Sequence, residues 1–538
     1  MATRNRTTQN RSKRARLDAE HVIPAHYIDG PEVAEFLRSL DTRSVLKAQT
    51  LYSIGVALLR GNPNPNVAAF LAEYTYTTVD VGEVPVGFDV LGAAYQYLNS
   101  KRESLEMGAF YTGAAIANDF VAGLDFSAGQ VIFDPSCGSG AFLFRSNAPA
   151  SQLVGVDLDP IAVMIAKFNY FLKFPQAGPP KIYCADFFTW FVDHEGERYD
   201  YVIGNPPYGA SSDGGAPSEY ITSGESFSHF LELGYRLLRK GGVLRYLVPE
   251  SLLNVKKHAD VRAFILEYTN LRRIKRYRGK FSGVMSDTYL IELAHGKSKY
   301  VTWVGEGKIR IPKSIFGELQ HKVFVELNER DVAIIEKVED LRGTDLSGSA
   351  FGLGVVTGDN ITKLLPRQSR GSEPIYTGKE VAKYRLLPAK NFLVFARANL
   401  QQVAPDEIYR APVKLVYKTI SKFLKVAVDE TGALTTNSAN IIIPTVTGWQ
   451  AVEVAALLNS DLYSYLHLKL FGGVNKVAKE NLSALPLPNL TRTQHARIRT
   501  LVGRVLSGGS DAVLQKYIHE DVFGLTSDEV AYIRRVVS

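Results

Sequence analysis

"VIFDPSCGSGAFLF", residues 131–144, reads as a strand, a tight turn of small residues and the start of a helix. Val131, Ile132 and Phe133 form an apolar β-rich run, and Pro135 ends it because proline has no backbone N–H to give to a sheet. Gly138 and Gly140 let the turn approach a ligand where a side chain would collide. Four more β-rich runs follow: "QLVGVD" (152–157), "KIYCAD" (181–186), "YDYVIG" (199–204) and "GVLRYLVPE" (242–250). They alternate with helical stretches at 160–173 and 226–240. That alternation predicts an α/β domain built from βαβ units, its largely parallel sheet covered by helices on both faces. Ligands of such sheets lie outside the carboxyl ends of the strands, where the small-residue turn sits.

Outside this core the patterning changes. "PEVAEFLRSL" (31–40) and "DVLGAAYQYLNSKRESLE" (89–106) carry apolar residues at helical spacing. "SDTYLIELAH" (286–295) alternates as a late edge strand would. Beyond about 310 the chain is irregular and strand-rich, with turn signals at "TGDN" (357–360) and "DETG" (429–432), and 451–538 is helical again. The expected organisation is a basic disordered tail (1–20), a helical N-terminal region (21–106), a catalytic domain (107–305) and an α+β C-terminal domain (306–538).

The 538 residues exceed one comfortable core. With 46% hydrophobic and 22% charged residues the composition is that of a globular chain. No apolar run is long enough to span a bilayer, so no membrane is expected. The two cysteines, Cys137 and Cys184, are far apart, which argues against a zinc site or disulfide framework and for a reducing, cytoplasmic location. No metal ligands are assigned. The net charge is +7, and six of the cations (Arg4, Arg6, Arg11, Lys13, Arg14, Arg16) stand in the first sixteen residues without an acid. Such a tail is either a solvated solubilising segment or an arm that grips phosphates.

The strand ends carry acids. Asp134 ends the first strand, placed to accept from a ligand ammonium. Asp157 ends the second, about twenty residues after the glycine turn, as bidentate bonding to ribose hydroxyls requires. Asp186 follows the third beside Phe187 and Phe188, an acid for an adenine amino group with rings to stack on it. Leu143 stands where a dinucleotide fingerprint needs its third glycine, and no P-loop lysine follows. The reading is therefore a nucleoside cofactor without a pyrophosphate.

The fourth strand ends in "NPPY", Asn205 to Tyr208. The Asn205 carboxamide oxygen and the Pro206 carbonyl are two acceptors side by side, matched to the two hydrogens of a planar –NH₂ group. Held that way, the nitrogen lone pair is released from conjugation to attack an electrophile. Tyr208 offers a flat face for a planar ring, and the prolines keep these groups in register, the preorganisation that transition-state binding needs.

With DPSCGSG (134–140) followed by NPPY (205–208), the chain resembles the S-adenosyl-L-methionine-dependent amino-methyltransferases. More narrowly it is similar to the TaqI-like, γ-class DNA adenine-N6 methyltransferases of restriction-modification systems. The resemblance implies a Rossmann-like methyltransferase sheet, and S-adenosyl-L-methionine held by Asp134, Pro135, Gly138, Gly140, Asp157, Asp186 and Phe187. "MGAFYTGAAIANDFV" (107–121) is similar to the segment that folds over the methionine moiety, implying Tyr111 and Thr112; the family has proline where this chain has Gly113. "FSHFLELGYRLLRKGGVLRYLVPESLL" (227–253) implies Phe230 at the adenine pocket. Asn205, Pro206 and Tyr208 become the catalytic set, with Phe281 as a second aromatic against a base flipped out of double-stranded DNA. "YTGKEVAKYRL" (376–386), residues 411–444 and 474–490 look like a C-terminal target-recognition domain.

Two basic stretches suit a DNA partner. "LRRIKRYRGKF" (271–281) has six cations and no acid; Lys414, Lys418, Lys422 and Lys425 lie among Tyr417 and Phe423. Each is also explained by a strand face with counter-charges nearby. The function expected is site-specific DNA adenine methylation by a monomer on DNA, any cognate endonuclease being a separate chain. A methyltransferase for another planar amine, a protein glutamine amide or an RNA base, is the alternative. Deleting residues 1–16 separates the two readings of the tail. If its cations touch phosphates, the slope of log K for DNA against log[salt] shrinks by up to about 5; an unchanged slope leaves a solvated segment.

Overall fold

The computed structural model describes residues 31–40, 46–87, 89–99, 112–208, 215–277, 287–305, 307–318, 323–471 and 476–538. The basic tail, the second half of the 89–106 helical stretch, Tyr111 and Phe281 lie outside them. The chain forms two compact units divided between Lys313 and Ser314. No described helix is long and apolar enough to cross a membrane.

The first unit is built on a nine-stranded mixed sheet. Its strands are β1 (Ile132–Asp134), β2 (Leu153–Asp157), β3 (Lys181–Cys184), β4 (Tyr199–Gly204), β5 (Leu238–Pro249), β6 (Asn270–Tyr277), β7 (Thr288–Ala294), β8 (Tyr300–Val304) and β9 (Lys308–Pro312). They lie in the order β3-β2-β1-β4-β5-β7-β6-β8-β9. The first five positions are parallel throughout, as the βαβ reading requires. β1 pairs with β2 on one side and β4 on the other, so the winding reverses there and the strand ends open a crevice.

Alternation along β1 sends Ile132 to one face and Phe133 to the other. Ile132 joins a core with the N-terminal helices α1 (Pro31–Ser39), α2 (Lys47–Leu58), α3 (Pro65–Leu71) and α4 (Val90–Leu98), and with α6 (Pro160–Lys173). Helix α5 (Ala114–Val121) joins the same core through Ile116 and Phe120. Phe133 stacks on Trp190 of α7 (Phe187–Asp193) and on Tyr199, with centroids 4.9 and 4.5 Å away. Further along, α8 (Ser226–Arg236) packs on β5 and α9 (Ala259–Tyr268) on β6.

Two expectations are corrected. The glycine turn does not open a helix: after it come only short 3-10 turns at Leu143–Arg145 and Ala150–Gln152 before β2. The Ser146 hydroxyl takes the Leu143 carbonyl, and the Lys173 ammonium takes those of Phe144 and Ser146, each at 2.6 Å, which closes the turn where an α-helix would continue. Residues 286–295 are not an edge strand. β7 lies between β5 and β6, its residues buried on both faces, and β8 and β9 extend the sheet beyond it.

The described cations of β6 are largely paired within the fold, Arg273 sharing its acid with Arg245. Arg273 pairs with Glu292 at 2.7 Å, Arg276 with Asp287 at 2.5 Å, and Lys275 with Asp119 of α5; Arg272 is exposed. Of the four cations described in 271–277, only Arg272 therefore stands clear of these pairs.

The second unit has a four-stranded antiparallel sheet in the order Ala350–Gly352, Ala439–Ile443, Lys414–Lys418, Val426–Asp429. It also has a three-stranded sheet (Asn391–Leu393, Glu373–Tyr376, Leu434–Thr435), a two-stranded one (Arg342–Thr344, Leu487–Pro488), and helices that include Glu329–Asp340 and several at the C-terminal end. Lys414 does not face solvent: it is fully buried, giving its ammonium to Asp429 at 2.5 Å and to the Tyr409 carbonyl at 2.6 Å. Lys422 and Lys425 are exposed, and Lys418 half so. In the helical part the buried Asp331 carboxylate gathers the hydroxyls of Tyr465 and Tyr532 and the Lys469 ammonium at 2.6–2.9 Å.

Gly113 caps helix α5 with a φ of −61°, the value a proline ring fixes, and a ψ of 150° that a proline also adopts. The glycine therefore departs from the resembled pattern without altering the backbone. Gly113→Pro should raise stability by about 0.4–1 kcal/mol, because it removes freedom from the unfolded chain alone. The melting temperature of the full chain checks this; a drop would mean that the Gly113 N–H is in use.

Candidate functional site

Strand order brings four polar strand ends onto one edge. Reading across β3, β2, β1 and β4, these are Asp186, Asp157, Asp134 and Asn205, on adjacent strands about 4.8 Å apart.

Asp134 is completely buried. Its Oδ1 accepts the Ser136 N–H at 3.0 Å, while Oδ2 has no hydrogen-bond partner among the described residues. Burial, reinforced by the charge of Asp157, holds this carboxyl well above its ordinary pKa. A buried acceptor left open is costly, and a cation brought to the edge would relieve it. The Ser136 hydroxyl beside it is likewise buried without a described partner. Gly204 explains how β4 comes so close: a Cβ there would stand 2.9 Å from Asp134 Oδ1 and 3.3 Å from Ser136 Oγ.

Pro135 is buried in the turn. Gly138 has a φ of +52°, with nothing within 4 Å of where its Cβ would be, so the backbone there borders open space. Gly140, at φ +85°, has no such room: a Cβ would meet the Phe144 ring at 2.0 Å. Asp157 braces the turn, accepting the Gly138 N–H at 2.8 Å on Oδ2 and the Asp159 N–H at 2.9 Å on Oδ1. Burial raises its pKa. Asp186 is exposed and caps α7 by accepting from Thr189 N–H at 2.9 Å. Phe187 and Phe230 meet at 4.7 Å, both buried; Phe187 also touches Phe133 and Trp190, so much of its ring belongs to the core. Phe188, half-buried, lies 5.3 Å from Phe230.

At β4, the Asn205 amide nitrogen donates to Thr112 Oγ1 at 3.3 Å. That bond fixes the amide's rotation and turns its oxygen to the other side. Thr112, expected at the cofactor, is thus placed against the asparagine of the NPPY turn. Ser226, the first residue of α8, pins the turn from behind through the Pro207 carbonyl at 2.7 Å. The Tyr208 ring is half-buried and stands nearly perpendicular to Phe227, 6.2 Å away at 85°, and burial holds its phenol well above the ordinary value. The segment beyond is clamped by buried Glu232, which accepts the N–H groups of Glu219, Tyr220 and Ile221 at 2.7–3.2 Å. Tyr111 and Phe281 lie outside the described residues.

Sequence reading missed Ser136, Gly204, the contact of Thr112 with Asn205 and that of Ser226 with the Pro207 carbonyl. Gly204 alone carried a signal, as a glycine ending an apolar strand.

Chemically, the edge offers an acidic slot bordered by open backbone, next to a carboxamide locked in one orientation beside an aromatic face.

Residues 151–282 match the Eco57I restriction-modification methylase family, and residues 373–487 the TaqI-like C-terminal specificity domain. The chain is 25% identical over 308 residues to the type II methyltransferase M.VspI of Vibrio sp. (strain 343), covering 54% of this chain and 75% of that protein. It is 26% identical over 186 residues to the type II methyltransferase M.CvrRI of Paramecium bursaria Chlorella virus XZ-6E, covering 33% of this chain but only 46% of that one. Among solved structures, the type IIL restriction-modification enzyme MmeI in complex with DNA has the same fold with 11% identity. The TM-score is 0.52, over 96% of this chain and 90% of that one. The chain therefore carries an Eco57I restriction-modification methylase domain followed by a TaqI-like C-terminal specificity domain, and its relatives include restriction-modification methyltransferases.

Proposed function

We propose that this chain methylates N6 of an adenine flipped out of duplex DNA, using S-adenosyl-L-methionine, as the cytoplasmic modification partner of a restriction system. The observation that carries this is the Asn205 carboxamide, fixed by Thr112 at the end of β4, one strand from the open Asp134 oxygen. The first unit is the catalytic part and the second reads the target. The protein acts as a monomer on DNA, any endonuclease being another chain.

The residues at the edge fit the cofactor. Asp134 Oδ2, buried and open, suits its ammonium group; the bare backbone at Gly138 admits its body; Asp157 and Asp186 are acceptors for its ribose and adenine amino hydrogens. When bound, S-adenosyl-L-methionine supplies an electrophilic methyl carbon on its sulfonium. The chain's own groups act on the other partner. Asn205 Oδ1 and the Pro206 carbonyl accept the two amine hydrogens, which draws the nitrogen lone pair out of the ring's conjugation. Tyr208 stacks on the extruded base, and the bonds from Thr112 and Ser226 keep the acceptors from turning away. Phe281 closes the opposite face.

Binding and chemistry separate by mutation. Asp157→Ala should weaken S-adenosyl-L-methionine binding in calorimetry about ten- to a hundredfold, for the loss of charged hydrogen bonds. Asn205→Ala should leave that affinity nearly intact and abolish single-turnover methylation. Retention of even a tenth of the wild-type rate would overturn the role of Asn205.

Base flipping has its own readout. A ring stacked on an extruded base contributes on the order of 1–3 kcal/mol. Tyr208→Ala should therefore lose most activity, whereas Tyr208→Phe or Trp keeps much of it. With 2-aminopurine at the target position, wild type and Tyr208→Ala should differ in emission at equal occupancy. Emission that stays dark with both proteins bound means that the base never leaves the helix, and a glutamine-amide substrate becomes the better reading.

A further inference from the structure

Helix α4 lies outside the sheet, yet it touches both loops that border the ligand edge. Asp89, its capping residue, is 5% exposed and has a left-handed backbone, φ 55° and ψ 41°, a conformation that a non-glycine residue adopts only where its surroundings over-determine it. Its Oδ2 accepts from the Ser139 hydroxyl at 2.6 Å, within the glycine turn. Its Oδ1 accepts from the Gly92 N–H at 2.8 Å and from the Asn169 amide at 2.7 Å, and that amide also donates to the Ser139 carbonyl at 3.0 Å. Further along α4, the Tyr95 hydroxyl donates to Asp159 Oδ2 in the loop after β2.

These contacts close a ring. From Asp89 it runs through Ser139 to Gly138, whose N–H meets Asp157; from Asp157 it passes to the Asp159 N–H and then to Tyr95, back on the same helix. Gly92 is required within it, since a Cβ there would stand 2.5 Å from the Asp89 carboxylate. A carboxyl group bonded in a buried site to the Ser139 hydroxyl, the Gly92 N–H and the Asn169 amide is held in one orientation. Its desolvation raises its pKa to about 7, so this position keeps a residue that burial disfavours.

We propose that Asp89 and Tyr95 are positioning residues, by which α4 sets the separation between the Gly138 turn and Asp157. They touch no ligand themselves. They act by keeping two loops, from different strands, at the spacing that one ligand must bridge. The inference rests on the reading of this edge as the S-adenosyl-L-methionine site.

The test is a double-mutant cycle on the full chain, read by calorimetry with S-adenosyl-L-methionine and by steady-state kinetics. Tyr95→Phe removes one oxygen and keeps the ring; Asp89→Asn keeps the shape and removes the charge. Each should weaken cofactor binding about three- to tenfold, raising the cofactor KM while kcat and the DNA KM stay within about twofold. Because either change opens the same ring, the double variant should lose less than the two losses combined. Asp157→Ala serves as the reference. If it loses affinity while Tyr95→Phe binds as wild type, the α4 contacts are packing alone and the proposal falls. Fully additive losses, or a fall in kcat without a change in cofactor KM, overturn it as well. If Asp157→Ala itself binds normally, the reading of the edge has failed, and the inference with it. Should Asp89→Asn melt early, Tyr95→Phe paired with Asp159→Asn gives the same cycle.

Discussion

The close approach of β1 and β4 governs the site. Gly204 leaves no side chain where the Asp134 carboxylate stands, so two strands from distant parts of the sequence end against one another. Everything chemical in the first unit follows from that adjacency. On the β1 side the edge continues through Asp157 to Asp186; on the β4 side it turns into the asparagine and tyrosine of NPPY. Parallel neighbours with opposite winding leave their carboxyl ends free, because the connections depart to opposite faces. The crevice is a property of strand order, and the side chains at its rim are what specialise it.

Much of this was legible in the sequence, for a definite reason. Buried parallel strands are near-continuous apolar runs, and a run that ends in an acid or in Asn-Pro-Pro announces both its boundary and its edge. β1 to β5 were visible on that basis. Where the reading failed, a local pattern had two meanings. "TYLIELAH" alternates, which suits an edge, yet β7 sits between two strands with both faces covered. "GAFLF" is apolar enough for a helix, but a lysine contributed from α6 closes it as a 3-10 turn. Lysine and arginine runs likewise carried two readings, and the structure favours the second: Lys414 and three of the four cations described in 271–277 meet acids outside their own strands, pairings that composition alone does not show.

The site residues divide along the same line. Asp134, Asp157 and Asn205 end strands, so their place followed from the strands. Asp89 and Tyr95 carry no such mark. "DVLGAAYQYL" reads only as apolar residues at helical spacing, and what Asp89 meets is set by the packing of α4 against α6. Thr112 was visible as a residue near the cofactor segment, but its bond to Asn205 required the three-dimensional path of the chain. The second unit was outlined rather than read, since its short strands pair across long irregular loops and its buried ion pair replaces apolar periodicity.

The lysine that closes the 3-10 turn gives the first unit a mechanical property. The connection from β1 to β2 has no helix to act as a spring, and its carbonyls are tied directly to the far end of α6 by the Lys173 ammonium. The near end of α6 is capped by Asp159, in the loop that Asp157 shares. One helix thus meets the connection after the glycine turn at one end and the loop after β2 at the other. A shift of α6 along its axis would therefore be felt in both connections at once, through the lysine at one end and the capping aspartate at the other.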